Sequence, residues 1–126
     1  MMQTATARDI AADIVAEGGQ TWAPGKTAPA AGHMVSLPGT ERVIPLHYFC
    51  ASDVALYVAD HAEKVTRDGR AYFGAWVDGD SVYLDISVNV MDAGDAVHLG
   101  FQWGQLAIYS IDADEVIELD HSTYRK

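Results

Sequence analysis

Along Asp80 to Val88 the chain alternates: Val82, Leu84, Ile86 and Val88 are apolar, and Tyr83, Asp85 and Ser87 stand between them. A period of two over this length predicts a strand with one buried and one wet face. Arg70 to Val77 is a second β-rich run, and Asp78-Gly79 joins the two. That residue pair tolerates the positive φ of a tight turn, so the segment predicts a hairpin. On ordinary antiparallel patterning the Tyr83, Asp85 and Ser87 face is open and Asp85 is solvated. A helix laid over that face would instead make Asp85 a buried carboxylate in need of a donor.

Three stretches carry the helical period. From Thr6 to Glu17, Ala7, Ile10, Ala11, Ile14 and Val15 share a stripe, Arg8, Asp9, Asp13 and Glu17 take the other side, and Gly18-Gly19 ends the run. Ser52 is placed to cap a second helix with Asp53 in its first turn, and Val54, Leu56 to Val58, His61, Ala62 and Val65 form its stripe up to Asp68-Gly69. Asp92 caps a third, Ala93 to about Trp103, broken by Gly104. His33 to Leu37 reads as a short strand closed by Pro38-Gly39, and Arg42 to Leu46 is extended, with Pro45 confining it to an edge. Leu106 to Ile111 and Val116 to Leu119 are further strands around the turn Asp112-Ala113-Asp114.

From His33 the order is strand, helix, strand, strand, helix, strand, with one strand appended. This predicts an α+β fold of the split β-α-β, ferredoxin-like kind, with two helices on one face of the sheet. The other α+β arrangement compatible with the order builds the sheet from the two hairpins, the first strand being an edge or absent. Residues 20–32 are rich in Pro, Gly, Ala and Thr and read as a linker. The expected organisation is a helix or arm over 1–19, a Pro/Gly-rich linker over 20–32, and an α+β domain over 33–126. A helix as short as the first is marginal alone in water, so docking is expected.

The 126 residues suit one domain, and 49% apolar content is enough for one core. Charge changes the picture more. The formal net charge is −10, and from Ala71 to Tyr124 ten carboxylates occur without one Lys or Arg: Asp78, Asp80, Asp85, Asp92, Asp95, Asp112, Asp114, Glu115, Glu118 and Asp120. A one-sign field of this kind repels nucleic acid and anionic membrane and favours basic partners. The single cysteine, Cys50, leaves no internal disulfide, which points to an intracellular setting. No window approaches a membrane span, and Met1-Met2-Gln3 opens no targeting segment.

The candidate chemistry is thin. Pro24-Gly25-Lys26-Thr27 resembles the tail of a phosphate loop, but position 20, where the motif needs glycine, is Gln. His47 and Cys50 make half a zinc site or a Cys-His dyad, with no second cysteine to complete the first. Before an apolar helix, Cys50 reads as a buried small hydrophobe. Asp78-Gly79-Asp80 and Asp112-Ala113-Asp114-Glu115 resemble calcium-loop fragments lacking the remaining ligands, and turn chemistry accounts for them. Trp76 and Trp103-Gly104-Gln105 are candidates for an aromatic pocket, or for the core. No metal, cofactor or catalytic group is expected.

Three pieces carry a resemblance: Gly32-His-Met-Val-Ser-Leu-Pro-Gly-Thr-Glu41, Tyr72-Phe-Gly-Ala-Trp-Val-Asp-Gly-Asp-Ser-Val-Tyr-Leu-Asp-Ile-Ser87 and Ala96-Val-His-Leu-Gly-Phe-Gln-Trp-Gly-Gln-Leu-Ala-Ile-Tyr109. In order and spacing they resemble a pattern in small uncharacterised proteins of actinobacterial phages and prophages. The resemblance implies a mobile-element origin and a role in the virion or in the host cytoplasm, and it transfers no catalytic residue. Ser110 stands where that pattern leads one to expect Asp. The functional expectation is a non-enzymatic acidic protein that binds another protein of host or virion, and homo-oligomers fit as well. Trp22, Phe101 and Trp103 are the expected anchors. The alternative is a DNA mimic whose carboxylates, Asp78, Asp80, Asp112, Asp114 and Glu115 among them, occupy the basic groove of a nucleic-acid-binding protein.

Overall fold

Thr6 starts the first helix, α1 (Ala7–Glu17). Its hydroxyl accepts from the Asp9 N–H at 3.2 Å, and the Asp9 carboxylate accepts from the Thr6 N–H at 3.3 Å. Two donors that a helix start leaves unpaired are thereby satisfied. Gly18 ends the helix at φ 82°, a left-handed conformation natural to glycine. Ile10, Ala11 and Ile14 enter the core, whereas Val15, expected in the same stripe, faces solvent. These features belong to a computed structural model that describes residues 6–122.

The chain does not run on as a linker. Gly19–Trp22 forms strand β1, paired antiparallel with β4 (Ala71–Asp78), Gly19 opposite Trp76 and Trp22 opposite Phe73. The Trp22 ring stacks on Phe73 with centroids 5.6 Å apart. Four residues between Gly-Gly and Pro-Gly carry too short a pattern to announce a strand; the long β4 supplies the template, and α1 packs beside it. A tight turn then brings Lys26 back, its N–H donating to the Ala23 carbonyl at 3.2 Å.

The remaining elements are β2 (His33–Ser36), β3 (Arg42–Pro45), a 3-10 turn (Leu46–Tyr48), α2 (Ala51–Arg67), β5 (Ser81–Val90), α3 (Ala93–Gln102), β6 (Ala107–Ser110) and β7 (Glu115–Glu118). Cys50, not Ser52, precedes α2, and the Asp53 carboxylate accepts from the Cys50 N–H at 2.9 Å. The Cys50 side chain is exposed, not buried as expected, because it sits at this helix entry. The expected β4–β5 hairpin is present, with Asp78 opposite Ser81 across Gly79 at φ 59°.

All seven strands join one antiparallel sheet in the order β1-β4-β5-β2-β6-β7, with β3 also on β5. Among the described residues the fold is α+β with three α-helices and a sheet larger than the expected split β-α-β arrangement. β1 extends it past β4, and β7 past β6. β2 and β3 lie end to end along β5, His33 opposite Val90 and Pro45 opposite Ser81. Between them the chain leaves the ladder at Leu37 to Glu41, and Thr40 repairs the gap: its hydroxyl accepts from the Ile86 N–H at 3.2 Å and donates to the Leu37 carbonyl at 3.0 Å. Buried backbone donors need such a partner.

Strand register sorts the residues into two faces. Ala71, Phe73 and Ala75 of β4, Val82, Leu84, Ile86 and Val88 of β5, Val35 of β2 and Ile108 of β6 point to the helices and are buried. Tyr57 of α2 meets Phe73 edge-on at 6.0 Å and donates its hydroxyl to the Thr40 carbonyl at 2.6 Å. A Cβ on Gly100 of α3 would lie 2.6 Å from the Leu119 side chain and 3.0 Å from that of Ile108, so helix and sheet approach closely there. Among the described residues no helix lies on the opposite face.

Candidate functional site: the helix-free face of the sheet

Down the middle of the helix-free face run three cross-strand pairs of β4 and β5: Tyr72 with Ser87, Gly74 with Asp85, and Trp76 with Tyr83. Ser36 pairs with Ser87 from β2, Val43 with Tyr83 from β3, and Met34 with Tyr109 on to β6. Val116 of β7 completes the row beside Tyr109. Four exposed large apolar side chains lie here: Trp76 is 43% exposed, Val43 49%, Tyr109 38% and Val116 63%. A sheet face with this much uncovered aromatic and aliphatic surface is unusual for a protein that has no partner.

Asp85 lies at the centre. It is only 8% exposed although no helix lies over it. The expectation of a solvated carboxylate therefore fails, for a reason the alternation of the strand does not contain. Gly74 opposite has no side chain, and its ideal Cβ would sit 2.6 Å from an Asp85 carboxylate oxygen, so the carboxylate occupies the space that a larger residue would fill. Ser36 donates its hydroxyl to Asp85 at 2.7 Å, and the Ser36 and Ser87 hydroxyls lie 3.3 Å apart. Burial pushes the Asp85 carboxyl above its usual range, the Ser36 hydrogen bond opposes this, and the Glu41 charge adds to the rise. No Lys or Arg among the described residues forms an ion pair with it.

The cations nearest the sheet have partners within the chain. Arg42 pairs with Asp60 of α2 at 2.8 Å, Arg67 with Glu63, and Arg70 lies 3.8 Å from Asp68. Lys26 reaches the edge of the open face over the Tyr72 ring, 4.4 Å from its centre, while its ammonium donates to the carbonyls of Asp68, Gly69 and Ala71 at 3.4, 3.3 and 2.8 Å. This disposes of the phosphate-loop likeness: that lysine straps the exit of α2. On the open face the strands place Asp78, Asp85 and Glu118, while Arg42 of β3 pairs with Leu84 on the helical face.

The expected anchors fare differently. Trp22 is 9% exposed and part of the core, and its indole N–H has no hydrogen-bond partner. Phe101 and Trp103 are half-buried against the core at the end of α3, on the helical side. Trp76 is on the other side, so the Trp76–Trp103 pocket does not form. The Trp76 ring instead stacks on Tyr83 at 4.4 Å and 16°. Asp78 and Asp80 flank the β4–β5 turn, and Asp112, Asp114 and Glu115 the β6–β7 turn, at opposite ends of the sheet. Asp112 accepts from the Gly32 N–H at 3.1 Å and Asp114 from the Tyr109 hydroxyl, which raises the Tyr109 pKa. The five carboxylates make no single array.

Val43, Tyr83, Gly74 and Ser36 are not among the expected site residues, although the alternation of Tyr72, Gly74, Trp76 and Asp78 places these four on one face. Among the described residues no three His, Cys, Asp or Glu side chains gather to hold a metal. A depression of about 490 Å³ lined by Asp60, His61, Glu63, Lys64, Arg67 and Asp68 lies on α2, away from Asp85. No helix of the described residues is long and apolar enough to cross a membrane. No family model, curated protein or solved structure matches the chain.

Proposed function

We propose that the chain is a non-enzymatic acidic protein that binds a basic protein partner across the helix-free face of its sheet, in the virion or host-directed role that the likeness to phage and prophage proteins implies. The observation that carries this reading is the combination on one face of exposed Trp76, Val43, Tyr109 and Val116 with carboxylates and no cation from the strands. Aromatic and aliphatic side chains supply the buried centre that a stable interface needs, and the one-sign field selects and steers the partner. For the fold, the inner order β4-β5-β2-β6 supports a split β-α-β unit enlarged at both edges.

The test is capture of partners from an actinobacterial host lysate on tagged protein, at low and at high salt, with Trp76→Lys and Val43→Lys beside the parent. Both positions are exposed, so the variants should fold. Retention at high salt by the parent and loss by both variants is the expected result. A nucleic-acid-binding protein held only at low salt and indifferent to both variants would replace this reading with DNA mimicry through the turn carboxylates.

A further inference from the structure

Two neighbouring pairs on the β4–β5 ladder differ in kind. Trp76 with Tyr83 is an aromatic pair stacked at 4.4 Å, and its tryptophan is 43% exposed. Gly74 with Asp85 is a glycine lying under a carboxylate. They are two residues apart along each strand, about 7 Å. Asp78 follows Trp76 at the same interval on the same face. The exposed indole is thus bracketed by Asp85 and Asp78.

Asp85 holds a charge that burial disfavours, and its hydrogen bonds come from the hydroxyls of Ser36 and Ser87. Within the described chain no cation compensates it. A buried carboxylate without a counter-ion is an expensive arrangement, and one placed on an uncovered face can be completed from outside. The group that fits is planar and cationic. A guanidinium stacks on an indole and donates in parallel to a carboxylate, whereas an ammonium is a more strongly hydrated point charge.

Resting on the reading of this face as the docking surface, we infer that its partner presents an arginine whose guanidinium stacks on Trp76 and pairs with Asp85. Gly74 leaves the room in which the carboxylate lies, and Ser36 and Ser87 hold the carboxylate in position. Asp78 adds attraction from the far side of the indole.

The probe is a random peptide library displayed on yeast and selected on the full chain, followed by binding of the recovered peptides to the parent, Asp85→Asn and Trp76→Ala. Selected peptides should contain arginine, bind Asp85→Asn about tenfold or more weakly, and lose most of their affinity when that arginine becomes lysine. Asparagine matches aspartate in shape, and an unchanged urea midpoint or a higher one for Asp85→Asn shows that the loss is not unfolding. Peptides that need Trp76 but ignore both Asp85→Asn and the arginine-to-lysine exchange would overturn the arginine site and leave the docking face standing. Peptides indifferent to Trp76→Ala as well would overturn both.

Discussion

Gly74→Ala tests whether the glycine beneath Asp85 is a packing requirement. Two effects oppose each other. In a strand, alanine is better than glycine by about 0.5–1 kcal/mol because it orders the chain at lower entropic cost. The new methyl, however, would lie 2.6 Å from the Asp85 carboxylate, which must move. Moving it breaks the 2.7 Å hydrogen bond from Ser36, a bond to an ionised group that contributes about 1.5–3 kcal/mol. The structure therefore predicts a net loss of about 1–2 kcal/mol. When Asp85→Ala is made first, the obstacle is gone and Gly74→Ala should stabilise by about 0.5–1 kcal/mol. The cycle thus has a coupling of about 1.5–3 kcal/mol between residues that face each other across one ladder. Urea denaturation of the four proteins at neutral pH measures it. Stabilisation by Gly74→Ala in the parent, or an equal loss with and without Asp85, would refute the account of Asp85 given above.

Two further changes probe the surroundings. Because the folded Asp85 pKa lies above 3.8, the native state holds this proton more tightly than the unfolded chain, so the group's contribution is complete below that value and is lost as pH rises through the folded pKa. Asp85→Asn should therefore gain stability relative to the parent between about pH 3 and pH 7, and urea midpoints that stay parallel over that range would contradict the burial. Lys26→Met removes the ammonium from three carbonyls and from the Tyr72 ring, and should cost about 1–2 kcal/mol in the same assay; a change under about 0.5 kcal/mol would mean that the strap contributes nothing measurable.

The residues of the helix-free face were legible only in part. Alternation put Tyr83, Asp85 and Ser87 on one side of β5, and the register bears that out. Which tryptophan is exposed was not legible. Trp22 sits in a Pro/Gly-rich stretch that looks solvated, yet it stacks on Phe73 about fifty positions away. Trp76 sits in the most β-rich run of the chain and is the one left uncovered.

Local sequence determined what local interactions control. It specified the ends of α1 through Thr6 and Gly18, the turn at Asp78-Gly79, the start of α3 at Asp92 and the one-sign charge of the second half. Those features depend on capping hydrogen bonds, glycine dihedrals and composition, all of which act within a few residues. The tertiary structure alone decided that β1 joins the sheet, that β2 and β3 share one side of β5, that α1 joins the two helices expected on one face, and that Gly74 makes room to bury Asp85. Each of these is a choice of partner between distant segments. A pattern of period two states which residues share a face, but whether that face is covered depends on what the rest of the chain brings to it.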